Sequence, residues 1–263
     1  MNDLSQELYW YKACKKDMTY ILGARCSDGV VLIGDTKVTI DGGTDSASGK
    51  KIEQPFPNSV VMGAAGIGGF YKDFQNRVVR EVATIRKNEG NTSFELTRIE
   101  GFSILVGRVL KEMNEYYAKE RHIFLNNLHI LCATRINDLK PQLHMFNPIG
   151  FPEPITQYKS IGGGAPYGKL FLKHIWKSNL SMRQTAKLGL FIIKLIQDKE
   201  LDNTVGYTEE FPSQVYYIPN VPTQNQLKNF PIQELSNSQV NTLIGEIDSE
   251  ISNLNGFIQK FKL

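Results

Sequence analysis

Thr19, Asp35 and Lys51 follow one another at equal separations of sixteen residues. A hydroxyl, a carboxylate and an ammonium are the functional groups of nucleophilic catalysis. A threonine hydroxyl at its free pKa is a poor nucleophile and needs an adjacent base. Histidine, the commonest such base, offers no help: His122, His129, His144 and His174 fall in no triad-like text and read as packing or surface residues. The same Asp–Lys pair would serve equally as a structural ion pair without chemistry.

These residues need elements to hold them. From Thr19 the text turns β-like, with apolar runs at 20–26 and 30–35 separated by Ser27-Asp28-Gly29, a composition that predicts a hairpin. A third run, 59–65, ends in Gly66-Ile-Gly-Gly69. Phe70, Phe74, Val78, Val82 and Ile85 then fall at helical spacing. A second helix is expected over 104–117, with Gly101 as its upstream bound. Strands are expected again at 128–133, 142–146 and 156–161. Helices follow at about 166–176 and 181–198, with Ser181 as N-cap, and a last strand at 214–218.

Strand blocks separated by helices would suit a parallel α/β sheet. The helices come in pairs, however, and tight turns join the strands. The pattern therefore predicts an α+β fold of two antiparallel sheets covered by helices on both outer faces, a four-layer αββα sandwich with a C-terminal helical extension. Residues 1–18 read as a leader or a mis-assigned start, 19–219 as the main domain, and 220–263 as a polar linker and an amphipathic helix. In that helix Ile244, Ile247, Ile251, Leu254, Ile258 and Phe261 step by three and four, a coiled-coil-like seam. The seam would serve a helix docked on its own domain or a contact between subunits.

Composition narrows the function classes. The chain has 263 residues, 41% hydrophobic and 22% charged, with net charge +3. That balance is globular and too mildly basic to argue for nucleic acid. Three cysteines (Cys14, Cys26 and Cys132) make no disulfide framework and show no zinc-site spacing. No apolar stretch is long enough to span a bilayer, and the first residues are no secretory signal. The expectation is a cytoplasmic protein without metal or cofactor. The glycines 162–164 are followed by no Lys-Ser/Thr pair, so they do not read as a phosphate loop.

The text from Thr19 through Asp35-Thr-Lys-Val-Thr39 to Ser48-Gly-Lys-Lys51 resembles the start of a proteasome β-type subunit, a member of the N-terminal nucleophile hydrolases. The likeness continues through Met62-Gly-Ala-Ala-Gly66, Asn147-Pro-Ile-Gly150, Ser160-Ile-Gly-Gly-Gly-Ala-Pro-Tyr-Gly168, Leu180-Ser181 and Leu188-Gly189. The resemblance implies the same four-layer fold. It also implies roles. Thr19 would be the nucleophile, with its own α-amine as base once residue 19 begins the chain. Lys51 would favour the developing alkoxide, and Asp35 would hold Lys51 charged. Gly66 would offer its N–H to the oxyanion, and Asp202 would support the amine. Lys37 reads as a surface or pocket-edge residue. Gly66 has a plain alternative as a tight turn, and Asp202 as a solvated loop residue.

Three positions differ from the family's pattern. Gly163 stands where a serine is common, Val205 where a serine follows the supporting aspartate, and Met18 where a glycine precedes the nucleophile. Translation from Met18 with removal of that methionine would expose Thr19, as would self-cleavage between residues 18 and 19. The expectation is a threonine-type peptidase acting on peptides or unfolded proteins within a ring-type homo- or hetero-oligomer. The alternative is a silent ring subunit that keeps its leader.

Overall fold

The structure, a computed structural model, describes residues 19–40, 45–66, 68–121, 128–137, 139–202 and 204–260. The leader 1–18, His122 and Phe261 lie outside the described residues.

Strands β1 (Ile21–Cys26) and β2 (Gly29–Gly34) form the expected hairpin, which pairs Ile21 with Gly34 and Cys26 with Gly29. Strands β3 (Lys37–Ile40) and β4 (Asp45–Ser48) make a separate antiparallel ribbon. β5 (Ile52–Phe56) and β6 (Val60–Ala65) follow, then α1 (Gly68–Asn88), the single turn α2 (Phe94–Thr97) and α3 (Ile99–Arg121). The chain returns to strands at β7 (His129–Thr134), β8 (Gln142–Phe146), β9 (Pro152–Pro154) and β10 (Tyr158–Ile161). Helices α4 (Ala165–Ile175) and α5 (Met182–Asp198) lead to β11 (Gln214–Pro219), β12 (Gln233–Glu234) and α6 (Asn237–Lys260).

Among the described residues the long strands build two five-stranded antiparallel sheets, ordered β10-β1-β2-β11-β12 and β5-β6-β7-β8-β9. Side-chain alternation along each strand then dictates the layers. On β1, Ile21 joins Leu32, Ile52, Leu131 and Leu143 in the core between the sheets. Its neighbours Leu22 and Ala24 face the other way, into a core with Leu190 and Ile193 of α5. On β6, Val61 points between the sheets, while Val60 and Met62 pack against Phe74 and Val78 of α1 and Leu105 and Leu110 of α3. Each sheet thus has an apolar face on both sides, and helices cover the outer ones.

Local sequence explains most element ends. Ser181 caps α5 through a capping box: its hydroxyl accepts from the Gln184 N–H, and the Gln184 side chain accepts from the Ser181 N–H. The second long helix starts five residues before the expected position, because Ile99 and Phe102 are buried against the same core. Gly101 therefore lies inside its first turn, and Ile104 faces solvent at 58% exposure.

Residues 224–229 form a 3-10 turn and 233–234 add an edge strand to the first sheet, where a linker was expected. A polar, proline-bearing stretch reads as linker in isolation; here two backbone pairings to β11 fix it. The helix beyond docks on its own domain. Val240, Leu243 and Ile247 are buried with the α5 side chains, and Ile244 and Ile251 pack beside them. Its apolar stripe thus starts a turn before the expected seam. Arg183 pairs with Glu246, Lys187 with Glu246 and Glu250, and Lys194 with Asp248, so charges also bridge α5 and α6. Among the described residues no helix is long and apolar enough to cross a membrane.

Tyr20, one residue from Thr19, is fully buried against α4. A Cβ on Gly168 would lie 2.4 Å from its ring, so something must shift to admit it. Replacing Gly168 by Ala gains about 1 kcal/mol of helix propensity, but overpacking costs about 1–3 kcal/mol. We expect Gly168→Ala to lower the urea midpoint with an unchanged slope; a rise would mean that Tyr20 moves freely.

Candidate active site

The β1–β2 hairpin brings the first two chemical groups together. Because Ile21 opposes Gly34, the next pair along the ladder is Tyr20 and Asp35. The Asp35 N–H donates to the Tyr20 carbonyl at 3.1 Å, and the Tyr20 N–H donates to Asp35 Oδ1 at 2.8 Å. Asp35 is thereby locked beside the backbone that carries Thr19. The Thr19 side chain is itself buried, at 4% exposure.

Lys51 arrives from the other sheet. It directly precedes β5, and its carbonyl accepts from Ala64 on β6. The Gln214 side chain, at the start of β11, grips this junction. Its Oε1 accepts from the N–H groups of Lys51 and Ile52 at 2.7 and 3.0 Å, and its Nε2 donates to the Ile52 carbonyl at 2.9 Å. Lys51 Nζ then donates to Asp35 Oδ2 at 2.8 Å.

The pair is buried, with Asp35 at 0% and Lys51 at 8% exposure. Burial raises the Asp35 carboxyl, and the Lys51 charge and hydrogen bond and the Tyr20 and Gly206 N–H groups oppose it. Burial likewise lowers the Lys51 ammonium, opposed first by Asp35 and more weakly by Asp202. Both oxygens of Asp35 are met by N–H donors, two of them backbone groups that cannot titrate, so the geometry favours the ionised pair.

Gly66 directly follows β6 on the Lys51 side of the second sheet, with φ at +128°. Asp202 sits in the loop after α5. Its carboxylate accepts from the Thr204 N–H at 2.9 Å and from the Thr204 hydroxyl, while its charge acts on Lys51. The loop aspartate therefore lies within electrostatic reach of Lys51. The hydroxyl that partners it lies two residues on, at Thr204, whereas the family's pattern puts a serine three residues on, where this chain has Val205. Lys37 opens the ribbon, its N–H held by the Gly206 carbonyl at 3.0 Å. Among the described histidines, His129 opposes Ala65, and burial lowers its pKa. His144 is buried in β8, and His174 is exposed on α4.

Besides Thr204, sequence reasoning missed Tyr20, Gln214, Gly206 and the backbone contacts of Gly162 and Gly164. Gly206 donates to Asp35 Oδ2 at 3.4 Å and accepts from the N–H groups of Thr36 and Lys37. At Gly162, with φ +94°, a Cβ would lie 2.1 Å from the Thr19 carbonyl oxygen, so only glycine allows this approach. Two residues later the Gly164 N–H donates to that same oxygen at 3.2 Å. The glycine run thus clamps the backbone of the threonine. Among the described residues no group of three or more His, Cys, Asp or Glu is placed to hold a metal ion.

The sequence profile of the proteasome subunit family matches residues 17–208. The solved structure of an Anbu (Gly-1) mutant from Hyphomicrobium sp. strain MC1 superposes with a TM-score of 0.67 at 18% identity, covering 93% of this chain and 100% of that one. At that identity it shows the fold alone. No curated protein sequence matches the chain.

Removing one member of a buried ion pair costs about 3–5 kcal/mol, because the other charge is left alone. Lys51→Met should therefore destabilise strongly, and Asp35→Asn combined with Lys51→Met should recover part of the loss. The pH dependence fixes the sign. With Lys51 gone, the folded-state pKa of Asp35 lies further above its ordinary 3.8. The folded state then binds more protons than the unfolded one, so stability falls as pH rises from about 4 towards that raised value. Urea titrations of parent and variant at several pH values measure the difference, and a pH-independent difference would refute it.

Proposed function

The chain belongs to the proteasome subunit family, and we propose that it is a threonine-type peptidase of that family whose nucleophile is Thr19. The observation that carries the reading is the buried Asp35–Lys51 ion pair, hydrogen-bonded to the residue next to Thr19. A structural ion pair needs no threonine beside it and no glycine clamp on that threonine's carbonyl.

In this reading residue 19 begins the finished chain. Its α-amine, with a reference pKa of about 7.7–8.0, takes the hydroxyl proton. The Oγ attacks the scissile carbonyl carbon, and the Lys51 ammonium favours the developing negative charge on Oγ. The Gly66 N–H supports the tetrahedral oxyanion, a contribution worth about 3–4 kcal/mol in enzymes where such a donor was removed. The C–N bond breaks, the amine product leaves with the proton, and an ester joins Thr19 to the acyl fragment. Water, deprotonated by the same amine, hydrolyses the ester and restores the hydroxyl. Asp202, with Thr204 on its carboxylate, supports the amine side of the site through its charge.

The family implies assembly into a ring. The specific reading is a homo- or hetero-oligomer of such subunits that takes peptides or unfolded protein in the cytoplasm. The three departures from the family's pattern, at Met18, Gly163 and Val205, favour a second reading, a ring subunit that keeps its leader and does no chemistry.

One experiment separates the two. The chain is produced starting at Thr19 and treated with a threonine-directed electrophile, alongside Thr19→Ala and Lys51→Met. The peptidase reading expects one covalent adduct on the parent, none on Thr19→Ala, and labelling slowed by ~10²-fold or more in Lys51→Met. Intact mass of the natural protein should begin at residue 19. An unlabelled parent, or natural protein that retains residues 1–18, would leave the silent ring subunit.

A further inference from the structure

The C-terminal segment, 232–251, lies far along the chain from Thr19, yet it reaches the site's surroundings from two sides. On one side β12 pairs with β11, and Glu234 meets Lys50, the neighbour of Lys51, at 3.2 Å. On the other side the first turns of α6 meet the loop between α5 and β11. The Asn237 side-chain amide donates to the Glu210 carbonyl at 3.3 Å, and that of Asn241 donates to the Glu209 carbonyl at 3.5 Å.

The same loop is held from within. Val205 is buried in one cluster with Leu235, Val240 and Leu243 of the C-terminal segment, and Tyr207 packs on that cluster. Gln197 of α5 brackets the Tyr207 backbone, donating to its carbonyl at 3.2 Å and accepting from its N–H at 2.9 Å. Lys194 meets both Asp198 and Asp248, which ties α5 to α6 beside it. Between these anchors sits Gly206, whose N–H faces Asp35 Oδ2 and whose carbonyl accepts from Thr36 and Lys37. The Thr36 hydroxyl in turn donates to the Phe211 carbonyl at 2.7 Å, which closes the loop onto the strand that carries Asp35.

We propose that the C-terminal segment is a positioning element of the active site: α6 fixes the 204–211 loop, and the loop places the Gly206 N–H on Asp35. This goes beyond the peptidase reading, which assigns the segment no role, and rests on that reading only for its catalytic consequence. Among the described residues the charged group that meets Asp35 is Lys51, at 2.8 Å, and the Asp202 charge acts on Lys51 in turn. Losing the Gly206 donor removes one of the contacts that hold the Asp35 carboxylate ionised. The acid limb of any Lys51-dependent reaction then moves to higher pH.

The test uses the chain starting at Thr19, otherwise complete, with Asn237→Ala and Asn241→Ala together. Both side chains are exposed, so the fold is expected to persist. A second variant, Val240→Ala, loosens the apolar half of the same contact. The primary readout is amide hydrogen exchange, which needs no catalysis. Exchange at 205–211 should speed by about three- to tenfold while β1 and β2 keep their parent protection. The second readout is the pH profile of electrophile labelling at Thr19, whose acid limb should rise in the variants. A parent that does not label refutes the peptidase reading and leaves the exchange result to decide the positioning role. Unchanged exchange at 205–211, or exchange that quickens uniformly through both sheets, would overturn the proposal.

Discussion

The Asp35–Lys51 ion pair is the contact on which the arrangement of the two sheets turns. Asp35 leaves the end of β2 in the first sheet, and Lys51 enters β5 in the second. Their 2.8 Å contact therefore bolts the sheets together at one end of the sandwich. Removing two charges from water costs several kcal/mol for each, and only good geometry with additional hydrogen bonds offsets that. The extra bonds come from Tyr20, just before β1, and Gly206 in the loop after α5, and Gln214 on β11 holds the Lys51 backbone. Each of these is satisfied only when its own element is in register, so the pair reports on the whole first sheet.

The layers around the site are tightly packed as well. Tyr20 fills the space between β1 and α4, and Gly168 and Gly164 leave room for it. The glycine run before α4 lies on the Thr19 carbonyl. The threonine is therefore held through its backbone on one side and through the Tyr20–Asp35 bonds on the other. Such holding suits a nucleophile, because a group fixed in place needs no reorganisation when it reacts. It would also suit a subunit that keeps the geometry of the site as structure alone. The two readings share one scaffold and differ in whether the amine of residue 19 is free.

Much of the sandwich was legible from local pattern. The alternating runs around Ser27-Asp28-Gly29 gave the hairpin, and the spacing of Phe74, Val78, Val82 and Ile85 gave the helix over the second sheet. Ser181 with Gln184 marked where α5 begins. Where local pattern misled, tertiary contact was the reason. Gly101 suggests a helix boundary by composition, but the burial of Ile99 and Phe102 carries α3 past it. Residues 224–234 are polar enough to read as a linker, and pairing to β11 turns part of them into an edge strand.

The sequence by itself determined the trio at 19, 35 and 51 and half of its geometry, since a hairpin register places Tyr20 opposite Asp35 through contacts only fifteen residues apart. It did not determine who completes the site. Gln214 on Lys51, Gly206 on Asp35 and the seat of α6 over the 204–211 loop were decided by the tertiary structure. The physical reason is range. Strand alternation, helical period and caps act between near neighbours and leave a mark in composition. Gln214 and Gly206 instead lie 163 and 171 residues from the groups they complete, and only tertiary packing brings them within hydrogen-bonding distance.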